Sequence, residues 1–255
     1  MAMTPWVTRL IFLNAGIFLL QQLMPGLTDA LALRPVGLPH QPWTIITYMF
    51  LHGGFLHIFF NMLMLFFFGP QVEARLGSRA FIGLYFTSGI SAAIASVVLT
   101  PHAGVIGASG AVFGVMLAFA MYWPRAPIYI WGVLPIEARW LILLLAGLEL
   151  FHSVAGTEQG IAHFAHLGGI AGAFAFLKWT EWRSPARRFK RKAAAAPRRP
   201  SGTTDLQRWH TIPRDEIHPV NREELDRILD KIGASGLKSL TPDELAFLER
   251  FSTKH

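Results

Sequence analysis

The chain of 255 residues contains no cysteine. That excludes disulfides and thiolate chemistry, and leaves the redox compartment open. Charge is scarce as well. Asp, Glu, Lys and Arg make up 15% of the residues, against 52% hydrophobic residues and a mean hydropathy of +0.38, and soluble domains carry more charge than that. None of those four types occurs between Ala80 and Pro124, a stretch long enough for two bilayer crossings. Apolar stretches recur along the chain, so it reads as a polytopic membrane protein.

What charge there is gathers in one place. Arg183, Arg187, Arg188, Lys190, Arg191, Lys192, Arg198 and Arg199 sum to +8 with no acid among them, more than the net charge of +7 for the whole chain. The run follows an apolar stretch directly and reads as a cytoplasmic stop signal beside anionic lipid. Aromatics hardly interleave with it, so no nucleic-acid partner is expected.

Six apolar spans are expected, in an all-α chain: Pro5 to Met24, Phe55 to Gly69, about Ser78 to Leu99, Ser109 to Trp123, about Trp140 to Val154, and Ile161 to Trp179. The first has a weak basic flank and no A-x-A site after it, so it reads as an uncleaved span. Several spans fall short of the ~20 residues of a full crossing, which implies tilt, a thinned bilayer, or helices that begin at membrane depth against protein or water. Arg75 and Arg79, Arg125 and Arg139, and the basic run mark alternate loops as cytoplasmic, which puts both termini on the cytoplasmic side of an inner or plasma membrane. Residues 1–180 are then the membrane domain and 181–220 a basic, proline-containing linker. Residues 221–255 form a helical hairpin with Asn221–Glu224 and Thr241–Glu244 as capping boxes and Leu225, Ile228, Leu229 and Ile232 as one apolar face. So small a hairpin is expected to dock on a partner or surface that the sequence does not identify.

Within the uncharged stretch, VIGASGAVFG carries a single serine, Ser109. A serine at a helix start ordinarily caps it. Gly110 and Gly114, however, share a face, and Gly168 and Gly172 repeat the spacing in the last span with Gly169 and Ala173 beside them. Small stripes of this kind let two membrane helices touch. At that contact the last span offers His166, the base a serine hydroxyl needs, or a residue that merely bonds a neighbouring helix. Phe113, four residues after Ser109 on the same face, reads as ordinary packing when taken alone and, beside His166, as a ring that fixes the plane of the imidazole. Acyl transfer also needs donors for an oxyanion. His57 and Asn61 share a face and both can donate, as can the Ser109 N–H at a helix start; Asn61 reads equally as glue between helices. No Asp lies in any span, so the inventory allows a Ser-His dyad and no Ser-His-Asp triad. Glu149, deep in the fifth span, pairs with a polar neighbour or reaches the interface near His152; the sequence leaves both open.

Together FLHGGFLHIFFN, EARLG from Glu73 to Gly77, GASG around Ser109 and AHLGG around His166 resemble the rhomboid intramembrane serine proteases. The likeness runs from about Trp6 to Trp179. It implies a six-helix bundle cleaving transmembrane segments of protein substrates near the outer bilayer face, without a cofactor. It makes Ser109 the nucleophile and His166 the base, lets His57 and Asn61 assist the oxyanion, and puts Gly107 in the loop shaping that hole. Glu73 and Arg75 match a structural ion-pair motif. Phe113 stands where some members have Tyr, and Trp43-Thr44 where some have Trp-Arg. Two other classes remain: a non-catalytic binder of membrane proteins, and a metalloenzyme using His52, His57, His163 and His166, for which no H-E-x-x-H motif exists.

Overall fold

The computed structural model describes residues 3–130, 132–155, 160–183, 209, 212 and 217–252. They fall into two compact units that divide between Trp182 and Arg183. In chain order the first comprises α1 (Pro5–Leu23), the short α2 (Gly26–Leu31) and α3 (Thr44–Thr47), α4 (Phe55–Leu76), α5 (Ser78–Leu99), α6 (Ser109–Tyr122), an antiparallel hairpin of β1 (Pro127–Ile130) and β2 (Leu134–Glu137), α7 (Ala138–Ala155) and α8 (Gly160–Arg183). Among the described residues α1, α4, α5 and α7 are long and apolar enough to cross a membrane, and α6 is apolar but shorter. This is a multi-pass membrane protein. Phe12, Leu23, Phe55, Phe67, Phe151 and Val154 point outward from α1, α4 and α7, a surface suited to lipid rather than water.

The core lies around α6, nine of whose residues are buried and which touches α4, α5 and α7. α8 lies against α5 and α6 through its glycines. A Cβ on Gly168 would come 2.8 Å from the Ser91 carbonyl and 3.1 Å from Ala92 Cα, and one on Gly169 would come 2.9 Å from Gly110 Cα. Without Cβ atoms the backbones approach closely enough for dispersion to hold them, where no hydrophobic driving force acts between helices.

Three sequence expectations change. First, α4 does not stop at Gly69 but runs through Pro70 to Leu76. Its last turns are anchored from outside: the Glu73 carboxylate, 2% exposed, accepts the Trp6 and Val7 N–H groups at 3.1 Å and the Ser78 hydroxyl at 2.7 Å. Glu73 thus satisfies orphan donors at the start of α1. It forms no ion pair with Arg75, whose guanidinium lies over the Tyr122 ring, 5.4 Å from its centroid. Second, the fold is mostly rather than wholly helical. Pro127↔Glu137 through Ile130↔Leu134 pair where the spans predict only a connecting loop, with Gly132 at φ +73° in the turn and Ile128, Tyr129 and Ile130 supplying β-favouring side chains.

Third, in the C-terminal unit α9 (Pro219–Ser235) starts earlier than the Asn221 cap would place it. Pro219 takes the first helical position, where its missing N–H is harmless, and Glu224 pairs instead with Arg227 at 2.7 Å. The box opening α10 (Pro242–Ser252) does form: Thr241 N–H donates to Glu244 at 2.8 Å and Glu244 N–H to Thr241 Oγ1 at 3.2 Å. Glu244 also accepts from Lys231 and Arg227 of α9. The Lys231 bond first, then the Thr241 N–H, hold its carboxyl down at about 2. Leu225, Ile228, Leu229 and Ile232 pack with Leu245, Leu248, Trp209, Ile212 and Ile217, so this unit has a core of its own. Most of the basic linker lies outside the described residues.

Candidate active site

Leu33 and Val105 exchange two backbone hydrogen bonds, 3.1 and 2.8 Å, which tie the loop after α2 to the segment leading into α6. Gly107 follows at φ +128°, a conformation open to glycine. Its N–H donates to the Tyr48 carbonyl at 2.9 Å, and the Tyr48 hydroxyl donates to the Gly89 carbonyl on α5 at 2.7 Å. The Gly107 N–H is therefore occupied, and the residue shapes the loop rather than supplying a donor. Ala108, not Ser109, takes the N-cap position of α6.

The Ser109 hydroxyl is thus released from capping, and it lies 2.7 Å from His166 Nε2. Phe113, one turn on, stacks on the imidazole with centroids 4.6 Å apart and planes 20° apart. The close approach behind this contact is glycine-made: Gly110 faces Gly169 and the Ala165 carbonyl, and Gly114 faces Ser88 and Ala173.

On α4, the Gly53 N–H donates to His57 Nδ1 at 3.3 Å, which leaves Nε2 to carry the hydrogen of the neutral ring. That edge is turned to the serine loop, for a Cβ on Gly107 would come 2.8 Å from His57 Nε2 and 3.6 Å from Ser109 Oγ. Asn61 is buried and donates one N–H to the His57 carbonyl at 2.8 Å, leaving its second amide hydrogen. His52 packs edge-on against His57 at 5.0 Å. Burial, then His57, hold its imidazole down to about 4, so it packs as a neutral ring. Of the loop residues, the Trp43 indole donates to the Ala30 carbonyl and the Thr44 hydroxyl to the Gln41 carbonyl, so Thr44 closes its own turn.

The sequence alone leaves the partner of Glu149 open. Its carboxylate reaches α8, where one oxygen pairs with His163 Nδ1 and the other lies 3.0 Å from His166 Nδ1. The signal was present: a membrane-embedded acid, and two histidines three residues apart on one helix face. The three donor atoms lie within 4.8 Å of one another, a set of the kind that binds transition metals. Here the Glu149 carboxylate hydrogen-bonds to His163 and lies in ion-pair range of His166 Nδ1, while His166 gives its other nitrogen to Ser109. The four histidines of the metalloenzyme alternative divide into two pairs, His52 with His57 and His163 with His166.

Residues 39–183 match the Rhomboid domain family, and residues 219–254 match a family of unknown function, DUF6576. The chain is similar to RHOMBOID-like protein 2 of Arabidopsis thaliana, 31% identical over 145 residues that cover 57% of this chain and 44% of that protein. It is 31% identical over 132 residues to Rhomboid protease GluP of Bacillus subtilis (strain 168), covering 52% and 25%. It is 30% identical over 150 residues to Rhomboid-like protease 3 of Toxoplasma gondii, covering 57% and 54%. The chain spans between a quarter and just over half of these relatives' lengths.

Proposed function

The chain belongs to the rhomboid family, and from that premise we propose that it is a serine endopeptidase cutting transmembrane segments of other membrane proteins. One observation carries the reading: the 2.7 Å contact between Ser109 Oγ and His166 Nε2, inside a helix bundle and backed by the Phe113 ring. A hydroxyl is a weak nucleophile unless a base takes its proton as it attacks, and a neutral imidazole at this distance is such a base.

In this reading His166 Nε2 accepts the Ser109 proton while Oγ bonds to the scissile carbonyl carbon. The developing oxyanion meets His57 Nε2–H, the free Asn61 N–H and the Ser109 backbone N–H, each donor of this kind contributing roughly 2.7–4 kcal/mol. Their polarity keeps water at the serine for deacylation. A substrate helix must unwind locally before its carbonyl is accessible, because the helical hydrogen bond hides it; small and helix-breaking residues near the cut fit that need. The positive-inside pattern supports a six-span arrangement of residues 1–180 in the inner or plasma membrane, with both termini cytoplasmic and the site towards the outer face.

The test is cleavage of a transmembrane reporter by full-length protein in proteoliposomes. Wild type cleaves and reacts with a fluorophosphonate probe; Ser109→Ala does neither while its thermal unfolding is unchanged. Full cleavage by Ser109→Ala refutes the assignment. A folded wild type that neither cleaves nor labels returns the protein to the non-catalytic binders.

A further inference from the structure

We propose that Glu149, itself held by His163, is a positioning residue that orients His166 behind the Ser109–His166 dyad; this rests on the protease reading above. The three side chains come from α6, α8 and α7, and their contacts run in series. Ser109 Oγ meets His166 Nε2 at 2.7 Å, His166 Nδ1 lies 3.0 Å from Glu149 Oε1, and Glu149 Oε2 pairs with His163 Nδ1. His163 is in turn stacked on His152, centroids 5.0 Å and planes 18° apart. The Glu149, His163 and His166 side chains are only 13–15% exposed. A carboxylate so enclosed within a membrane span is costly unless partnered, and both its oxygens are committed to imidazole nitrogens.

The chemistry follows from which ring nitrogen holds the hydrogen. A carboxylate at Nδ1 favours the tautomer protonated there and leaves the Nε2 lone pair facing Ser109. On attack, the Oγ–H proton moves to Nε2, the Oγ–C bond forms and the carbonyl π pair moves to oxygen. Nδ1 keeps its hydrogen and Glu149 stays ionised beside the imidazolium. On collapse Nε2 returns the proton to the departing amide nitrogen as the C–N bond breaks. At 3.0 Å the Nδ1–Oε1 pair is in ion-pair range but without hydrogen-bond geometry, and resting sites often hold such contacts loosely before substrate tightens them. The competing role is a tether, in which Glu149 and His163 only hold α7 to α8.

The two roles separate in full-length protein in proteoliposomes, comparing Glu149→Gln, Glu149→Asp and Ser109→Ala. Positioning expects Glu149→Gln to lower kcat and fluorophosphonate labelling together, by roughly ten- to a thousand-fold, with KM within about twofold. Glu149→Asp recovers part of the loss. Nitrogen-15 imidazole spectra move His166 from the Nδ1–H towards the Nε2–H tautomer in Glu149→Gln, a change a tether does not produce. Wild-type kcat per folded molecule in Glu149→Gln, with or without lowered thermal stability, overturns the proposal. So does an unchanged tautomer. Where Ser109→Ala is inactive and Glu149→Gln is not, the protease reading stands and only the role of Glu149 falls; an active Ser109→Ala removes the protease reading itself.

Discussion

Gly169→Ala is the sharpest perturbation the packing offers. A Cβ on Gly169 would overlap the Gly110 carbonyl, sitting 2.6 Å from its carbon, where ordinary contact begins at 3.4 Å. The obstacle is backbone on both sides, so no side chain can swing clear. Because the carbonyl oxygen lies closer still, α6 and α8 must separate by at least roughly 0.8 Å, or turn to the same effect, and overpacking of this kind costs about 1–3 kcal/mol. Ser109 directly precedes Gly110, and His166 lies three residues before Gly169. A shift of that size opens their 2.7 Å contact beyond hydrogen-bonding range. Misplacement by about 1 Å lowers turnover by about a hundredfold. The assay is reporter cleavage in proteoliposomes at a temperature where the variant remains folded, with fluorophosphonate labelling alongside. Gly147→Ala on α7 is the control, since a Cβ there meets nothing within 4 Å, and it keeps wild-type rates. Wild-type turnover in Gly169→Ala would refute the view that glycine contact sets the site.

Two further outcomes follow from buried or bridged carboxylates. Glu73→Ala strips the partners from the Trp6 and Val7 N–H groups and the Ser78 hydroxyl, which lowers stability by about 1–3 kcal/mol; an unchanged unfolding midpoint in detergent contradicts this. In the C-terminal unit, Glu244 has a folded pKa of about 2 against an ordinary 4.5. Its contribution is present above pH 4.5 and drains away as pH falls from there towards 2, and Glu224, lowered by its bond to Arg227, titrates in the same direction. Hydrogen exchange across α9 and α10 in the full chain, corrected for intrinsic rates, loses protection over that window, and Glu244→Gln flattens most of the dependence. Protection that is constant from pH 5 to 2.5 would contradict it.

Much of the fold was legible because hydropathy and small-residue spacing are local properties. α5 begins at Ser78 and ends at Leu99, as its apolar run does, and α6 begins at Ser109. Two elements depart from their apolar or capping patterns, one through a distant partner and one through a local competitor. α4 outruns Pro70 because Glu73 grips α1, and α9 starts at Pro219 because a proline at the first turn outcompetes a capping asparagine. The role of Gly107 needed the Tyr48 carbonyl, and Ser109 needed Ala108 in the cap position before its hydroxyl was free.

From the order of residues alone came the membrane setting, the uncharged serine-bearing helix and the glycine faces that let α6 and α8 touch, since periodicity dictates which side chains share a face. Packing settled what each polar group meets. Glu149 faces His166 only because α7 and α8 adopt one rotation against each other, and rotation about a helix axis is chosen by the sum of its contacts, which no stretch of sequence contains.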